Sequence, residues 1–272
     1  DGMPAKTEVS HGQVKYFRYF VRTASPIEVV LTPFSGDPNL YARFGTKPFN
    51  PSHKNATDID PTPGGVSAAS VEETGLDAIV LRPGDGAWAS CGEGGHPPCT
   101  LYVAVRGAGN KRCSFSVVVS QRRSRTTTLV DGVPQAGVAV ADELRYYTFT
   151  TPDLSNGLGV SIVALAGTPK LYLSPDDQLP NASHYVEYAD SSAPLRVAPR
   201  SGKGAFVFAV SGQGHPANFS LLAHTGRGMV LMQPSTPTEA KLLRDEEGYY
   251  AIHVAADAEQ PVLAVTAYQG AV

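Results

Sequence analysis

The residues whose type and spacing point most directly to chemistry are three cysteines, Cys91, Cys99 and Cys113. Cys91 and Cys99 bracket a loop rich in glycine and proline, which packs little of its own surface and would be stabilised by a cross-link. The spacing therefore predicts a disulfide between these two residues. A zinc site is a weaker alternative, because no two cysteines have the C-x2-C spacing and His96 alone lies nearby. Cys113 opens the next predicted strand and is either free or paired elsewhere.

Catalytic motifs are missing from the sequence. It contains no Gly-x-Ser-x-Gly elbow and no His-Glu-x-x-His motif, and its seven histidines are scattered along the chain. A catalytic centre needs a nucleophile beside a base, or several converging metal ligands. Two glycine-rich segments, Gly107–Gly109 and Gly212–Gly214, each join two predicted strands, which is typical of hairpin turns rather than phosphate-binding loops. We therefore predict that the chain is not an enzyme, with no catalytic residues and no cofactor.

Calcium is the one ion for which the sequence offers candidate ligands. Asp142 and Glu143 lie just before one aromatic segment, and Asp245 and Glu246 lie at the matching place before another. Carboxylate oxygens are preferred ligands of Ca²⁺, and an ion held there would stiffen a chain of several modules. The alternative is that these are ordinary exposed acids ahead of a strand. Residues 11–13, before the first aromatic segment, are His-Gly-Gln, so a site shared by every copy is not expected.

Three glycosylation sequons indicate the compartment in which the protein is found. They begin at Asn55, Asn181 and Asn218, and each is an Asn-x-Ser/Thr acceptor for N-linked glycans. Together with the predicted disulfide they favour a secreted or cell-surface glycoprotein. Unused sequons in a cytosolic protein are the alternative interpretation.

Trp88 is the only tryptophan in the sequence and lies in the loop that leads to Cys91. On a cross-linked loop an exposed tryptophan is suited to contact a sugar or a protein. It is equally suited to cover the open end of a sandwich, and the sequence does not decide between the two.

Composition excludes several classes of partner. The net charge is −3, so no strong field attracts nucleic acid or an anionic membrane. No apolar run approaches the roughly 18 residues that a membrane span needs. The 27 glycines and 22 prolines, with 12 tyrosines and 10 phenylalanines, suit many short strands joined by turns.

The sequence repeats itself. Asp1-Gly2-Met3-Pro4 returns as Asp131-Gly132-Val133-Pro134, and an aromatic pair follows each proline at the same distance, Tyr16-Phe17 and Tyr146-Tyr147. Pro237 and Tyr249-Tyr250 give a third copy at that spacing. We predict modules at 1–121 and 129–225, joined by a linker at 121–128, and an incomplete third module at 231–272. Such a fragment is expected to belong to a longer array, or to be completed by a strand from another chain.

Period-two alternation of apolar residues dominates both complete copies, and no segment shows sustained helical periodicity. Leu101, Val103 and Val105 share one face of a predicted strand, and Phe115, Val117 and Val119 share one face of the next. Seven or eight such strands per module predict an all-β fold of tandem antiparallel β-sandwiches of jelly-roll type.

The first module resembles the pre-peptidase C-terminal (PPC-like) domains. The resemblance rests on Tyr16-Phe17, residues 36–41 (Gly-Asp-Pro-Asn-Leu-Tyr), the alternation of residues 77–81 and residues 99–107, and it is weaker in the second module, where Thr168 replaces Asp37. It implies a small, non-catalytic extracellular sandwich, found beside secreted peptidases and in tandem in surface proteins. Some relatives bind calcium or extracellular polymers. From the residues alone, Asp37 is explained better as a turn cap before Pro38.

Two functions remain in competition. The first is a set of non-catalytic modules that mediate assembly or adhesion in an extracellular or cell-surface multi-domain glycoprotein, with other subunits or further repeats as partners. The second is a polymer-binding accessory region of a larger secreted peptidase or glycosidase.

Overall fold

The computed structural model describes residues 1–49, 51, 68–70, 76–121, 126–141, 143–174, 179–190, 193–226, 228–242, 246–254 and 262–267. Among these residues there is no α-helix, and the helical segments are two short 3-10 turns, Gly86–Ser90 and Glu93–Gly95. Within the same ranges no helix has the length and apolar character required to span a membrane. The prediction of an all-β fold is confirmed.

The first module is a sandwich of two four-stranded sheets. Its strands are β1 (Ala5–Val9), β2 (Val14–Val21), β3 (Ile27–Ser35), β4 (Asp37–Phe44), β5 (Ala68–Ser70), β6 (Asp77–Leu81), β7 (Cys99–Ala108) and β8 (Cys113–Gln121). One sheet has the order β1-β8-β3-β6 and the other β2-β7-β4-β5, and neighbouring strands are antiparallel. Successive strands lie in alternate sheets except for β4 and β5, which pair with each other, and this is the arrangement of a jelly roll.

The second module repeats this topology. Its strands are β9 (Thr126–Thr128), β10 (Gln135–Ala139), β11 (Leu144–Thr151), β12 (Leu158–Ala166), β13 (Lys170–Ser174), β14 (Glu187–Asp190), β15 (Leu195–Val197), β16 (Gly204–Ser211) and β17 (Ala217–Thr225). The sheets are β10-β17-β12-β15 and β14-β13-β16-β11-β9. Apart from β9, which pairs in parallel with β11, the order matches the first module strand for strand. The prediction of a linker through residue 128 was wrong at its end, because residues 126–128 form an edge strand.

The two modules also agree in detail. Both have an irregularity in the third strand of the jelly roll, between Pro33 and Ser35 in β3 and between Ala164 and Ala166 in β12. In each case the irregularity comes directly before a Gly-x-Pro turn. A bulge at such a place bends the strand.

The repeated aromatic pair has a structural reason. Its second ring points into the sandwich and packs edge-to-face on a phenylalanine of the last strand. Phe17 packs on Phe115 with ring centroids 6.4 Å apart, and Tyr147 packs on Phe219 at 6.1 Å. Each pair links the two sheets of its module, and edge-to-face packing adds to the gain from burial.

The third copy begins as the second does. Strands β18 (Met229–Met232) and β19 (Tyr249–Ile252) pair in parallel, with Met229 opposite Tyr249. In the second module Thr126 lies opposite Tyr146, so the aromatic strand follows its parallel partner at the same distance in both.

Candidate functional site: the contacts between modules

Trp88 belongs to the core of the first module. It is 3% exposed and packs on Phe44, with ring centroids 5.0 Å apart. Cys91 and Cys99 lie in the same apolar cluster. Of the two positions that the sequence leaves open, the structure shows the buried one, with Trp88 packed in the core of the sandwich.

The predicted disulfide between Cys91 and Cys99 is present. It fastens the loop that carries Trp88 to the start of β7. Cys113 is free and buried at the start of β8, and burial raises the pKa of its thiol. Since the thiolate is the reactive form, the raised pKa and the burial both lower the reactivity of Cys113.

The three sequons have different surroundings. Asn181 lies in an exposed turn, where its side-chain oxygen accepts hydrogen bonds from the backbone N–H groups of Ser183 (2.8 Å) and His184 (3.0 Å). Asn218 lies in β17, the central strand between β10 and β12, and the hydroxyl of its sequon residue Ser220 is buried and donates to Gln233 at 2.7 Å. Asn55 is outside the described residues.

The calcium candidates are not brought together in the part of the chain that can be described. Asp142 and Asp245 fall outside it, and Glu143 is half-buried with an interaction partner of its own. Glu246 forms an ion pair with Arg196, with 2.6 Å between the guanidinium nitrogen and the carboxylate oxygen. Within the described ranges no three His, Cys, Asp or Glu side chains are placed to hold a metal ion.

Arg196 and Glu246 lie in a cleft on the seam between the second module and the third copy, which His224 and Tyr250 also line. The guanidinium additionally donates to the backbone carbonyl of Lys241 at 2.9 Å. These contacts tie the third copy to β15 of the second module.

The most unusual surface of the first module is the outer face of β3 and β8. In a sandwich, one face of each sheet faces the core and the other normally faces water. Here the core face carries residues such as Leu31 and Val117, yet the opposite face is buried as well. Its buried members are Glu28, Val30, Thr32, Phe34, Ser114, Ser116, Val118 and Ser120.

Polar contacts on this face lead to the second module. The Thr32 hydroxyl accepts hydrogen bonds from the backbone N–H of Ala136 (3.0 Å) and from the side-chain amide of Gln135 (3.3 Å). Both residues begin β10, an edge strand of the second module. All three are buried, so these bonds satisfy polar groups that would otherwise be costly to bury.

An ion pair lies beside them. Arg145 in β11 contacts the carboxylate of Glu28 in β3 and lies 3.4 Å from the hydroxyl of Ser120 in β8. The Glu28 side chain is almost fully buried and that of Arg145 about three-quarters buried. A carboxylate at this depth requires a cation, and the second module supplies it to the first.

The repeated Asp-Gly sequence forms a joint between modules. At the first joint, Asp1 accepts a hydrogen bond from the backbone N–H of Gln121 (2.9 Å), the last residue of β8. The N–H of Gly2 donates to the carbonyl of Val119 (2.9 Å), and the carbonyl of Gly2 accepts from Thr128 (2.9 Å) in β9. The opening residues of the module thus bind both its own last strand and the chain that leads to the next module.

The second joint has the same bonds. Asp131 accepts from the N–H (2.8 Å) and hydroxyl (2.7 Å) of Thr225, the last residue of β17. The N–H of Gly132 donates to the carbonyl of Ala223 (3.0 Å), and the carbonyl of Gly132 accepts from Leu231 (2.8 Å) in β18.

Glycine is required at both joints for two reasons. Gly2 and Gly132 have φ of 67° and 70°, a left-handed conformation that other residues adopt with strain. A Cβ would also lie 2.5 Å from the carbonyl oxygen of Thr126 at Gly2, and 2.0 Å from that of Met229 at Gly132. The next module approaches too closely for any side chain.

The second module carries an exposed aromatic surface on the sheet that contains β13 and β14. Tyr172 on β13, Tyr185 in the loop before β14 and Tyr188 on β14 form a chain of ring contacts, with centroids 5.4 and 5.6 Å apart. The ammonium group of Lys170 lies 4.1 Å from the centre of the Tyr188 ring. Tyr185 and Tyr188 are substantially exposed.

Sequence reasoning identified the Asp-Gly repeat but not its role, and it missed Thr32, Glu28 and Arg145. One signal was available: β3 contains apolar residues on both faces, which is typical of a strand covered on both sides.

Comparison with protein-family models gave no match, and comparison with curated proteins gave none. The resemblance to PPC-like domains therefore stays a prediction from the residues.

Proposed function

We propose that this chain is a non-catalytic structural scaffold of an extracellular or cell-surface protein, in which jelly-roll modules are joined into a rigid array. The observation that carries the proposal is the joint. The same aspartate and glycine bonds occur between modules one and two and between module two and the third copy. A flexible connector would not require the same hydrogen bonds and the same close approach at glycine to recur at both joints.

The buried interface supports rigidity. Inter-domain contacts that are small and polar allow relative motion, whereas large apolar ones do not. Here the outer face of β3 and β8 is buried along its length, and the buried Glu28 depends on Arg145 of the second module. The two modules are therefore expected to move and unfold together.

The disulfide and the exposed Asn181 sequon support the extracellular setting. Disulfides persist in oxidising compartments, and glycan acceptors are used where the turn is accessible. Asn181 lies in such a turn, and we propose it as the glycosylated residue in preference to the strand-embedded Asn218.

Polymer binding is a second candidate function, and one observation favours it. The surface of Tyr185 and Tyr188 beside Lys170 offers exposed aromatic rings and a cation, a combination suited to an anionic polymer. It lies apart from the joints, so a rigid array could present it.

The scaffold proposal is tested by replacing Gly132 with alanine. The new Cβ would meet the Met229 carbonyl, so we expect hydrogen exchange of the β18 amides to rise by about tenfold or more, equivalent to about 1.4 kcal/mol of opening free energy. Gly214→Ala is the matched control, because Gly214 also has a positive φ (83°) but has open space around its Cβ position. Equal rates of hydrogen exchange at the β18 amides in the two variants would show that the joint does not hold the modules together.

A further inference from the structure

Each contact between modules joins the outer face of the earlier module to a leading residue of the later one, which comes directly before the first aromatic residue of the repeated pair. Arg145 is the leading residue of the second module, before Tyr146, and Gly248 is that of the third copy, before Tyr249. β11 and β19 pair in parallel with β9 and β18 in the same register, so positions 145 and 248 are equivalent. The second module therefore presents a guanidinium where the third copy presents no side chain.

The two faces that receive these residues also correspond. Glu28 in β3 pairs with Ser120 in β8, and Gly159 in β12 pairs with His224 in β17. Glu28 and Gly159 each lie five positions before the irregularity of their strand. The first face thus carries a carboxylate beside a small residue, and the second face carries no side chain beside a histidine.

Each face fits the leading residue that meets it. At the first contact the carboxylate of Glu28 meets the guanidinium of Arg145, and both side chains are mostly buried. At the second contact Gly159, His224 and Gly248 line the same cleft. The imidazole of His224 occupies the space of a side chain at position 159, because a Cβ there would lie 2.4 Å from its Nε2. The ion pair of the first contact therefore has no member at the equivalent positions of the second.

The second contact has an ion pair of the opposite direction. Its guanidinium belongs to the earlier module, as Arg196 of β15, and its carboxylate belongs to the later one, as Glu246. Arg196 pairs with Gly159 across β15 and β12, whereas Val80 pairs with Glu28 at this place in the first module. A leading arginine on the second face would thus meet another guanidinium and no carboxylate at position 159.

We infer that these positions determine which module each face binds. The outer face of β3 and β8 is specific for a module with a leading arginine, which is the second module, and it rejects the third copy. The outer face of β12 and β17 accepts the leading glycine of the third copy and rejects the second module. This inference rests on the proposed scaffold function and deepens it, because it states that the repeats pack in one order only.

Every wrong combination leaves a buried charge unpaired. The third copy on the first face would offer no cation to Glu28. The second module on a face of its own kind, in a neighbouring chain, would bury Arg145 beside Arg196. Glu143 holds the position of Glu246 in the second module, so an acidic residue is common to both and Arg145 is the residue that discriminates. Interfaces commonly exclude wrong partners through such unpaired charges.

The test replaces the residues of the first contact with those of the second, in the full chain. Arg145→Gly gives the second module the leading residue of the third copy, and Glu28→Gly/Ser120→His gives the first module the face of the second. Each should raise hydrogen exchange of the β10 amides by about tenfold or more, because one buried charge is left unpaired. The variant with all three substitutions should exchange no faster than Arg145→Gly, since both charges are gone and the histidine fills the space beside position 28.

A merely structural role of these residues predicts a different result. Independent effects multiply, so the combined variant would exchange at the product of the two increases, and that outcome would overturn the inference. Glu8→Gly is the matched control, because it removes an exposed carboxylate of the same module and should leave the β10 amides unchanged within about twofold. If Arg145→Gly does not fold, a native Trp88 fluorescence signal in the combined variant supports the inference, and its absence contradicts it.

The second face is tested by Gly248→Arg, with Gly248→Met as a control of similar reach and no charge. Exchange of the β18 amides should rise by about tenfold or more in Gly248→Arg and by less than about threefold in Gly248→Met. The guanidinium would meet Arg196, whereas the methionine would pack on Leu242 and Tyr250. Equal rates in the two variants would show that this face does not discriminate by charge. Gly132→Ala reports on the joint alone, so the scaffold proposal and this inference can fail separately.

Discussion

Replacing Arg145 with methionine is expected to lower the free energy of unfolding by about 3–5 kcal/mol, because the buried carboxylate of Glu28 would lose its cation. The effect should be seen in the first module as well as the second, since Glu28 lies in β3 and Arg145 in β11. Trp88 is the only tryptophan and lies in the first module, so its fluorescence reports unfolding there. We expect the Trp88 transition in denaturant to shift although the substitution is in the second module.

Two control variants define the cause. Arg112→Met removes an exposed ion pair with Glu8 (3.1 Å) and should change stability by no more than about 1 kcal/mol. The double variant Glu28→Leu/Arg145→Met replaces both charges with apolar side chains and should recover most of the loss. If the double variant is as unstable as Arg145→Met, the loss does not arise from the unpaired Glu28.

Replacing Trp88 with alanine is expected to have a similarly large effect, about 3–5 kcal/mol, for a different reason. The substitution would leave a cavity beside Phe44 and the disulfide at the end of the first sandwich. The measurement is the denaturant midpoint followed by far-UV circular dichroism, since the variant has no tryptophan. Phe20→Ala is the matched control, because Phe20 is an exposed aromatic residue of the same module, and it should change stability by about 0.5 kcal/mol or less. Equal midpoints for the two variants would show that Trp88 is not a core residue.

Much of the fold follows from local signals. Period-two alternation placed the strands, and the repeat of Asp-Gly and of the aromatic pair placed the modules, because an edge-to-face contact such as Phe17 on Phe115 must recur in every copy of the same sandwich. The disulfide followed from two cysteines across a loop that cannot pack on itself.

The contacts between modules could not be obtained in the same way. Alternation shows which residues share a face of a strand, but it does not show what covers that face. Thr32 and Glu28 are polar, so on their own they favour exposure, and only the position of Ala136 and Arg145 in three dimensions explains their burial. The burial of Trp88 could not be predicted for a similar reason. It lies in a loop, and a loop has no regular alternation of apolar and polar residues to show which side chains point inward.

If the second module covers the outer face of β3, a cysteine at position 32 should be protected, and its rate of labelling tests this most directly. Thr32 is fully buried and its hydroxyl accepts a hydrogen bond from Ala136 of the second module, so in Thr32→Cys the thiol should react with a thiol reagent about a hundredfold or more slowly than in Lys15→Cys, whose side chain is exposed on β2. Cys113 is buried, and the unmodified chain gives the background rate. For a rigid two-module unit we expect slow labelling at position 32 in the native protein and fast labelling once the protein is unfolded. Labelling as fast as at position 15 in the native protein would contradict it.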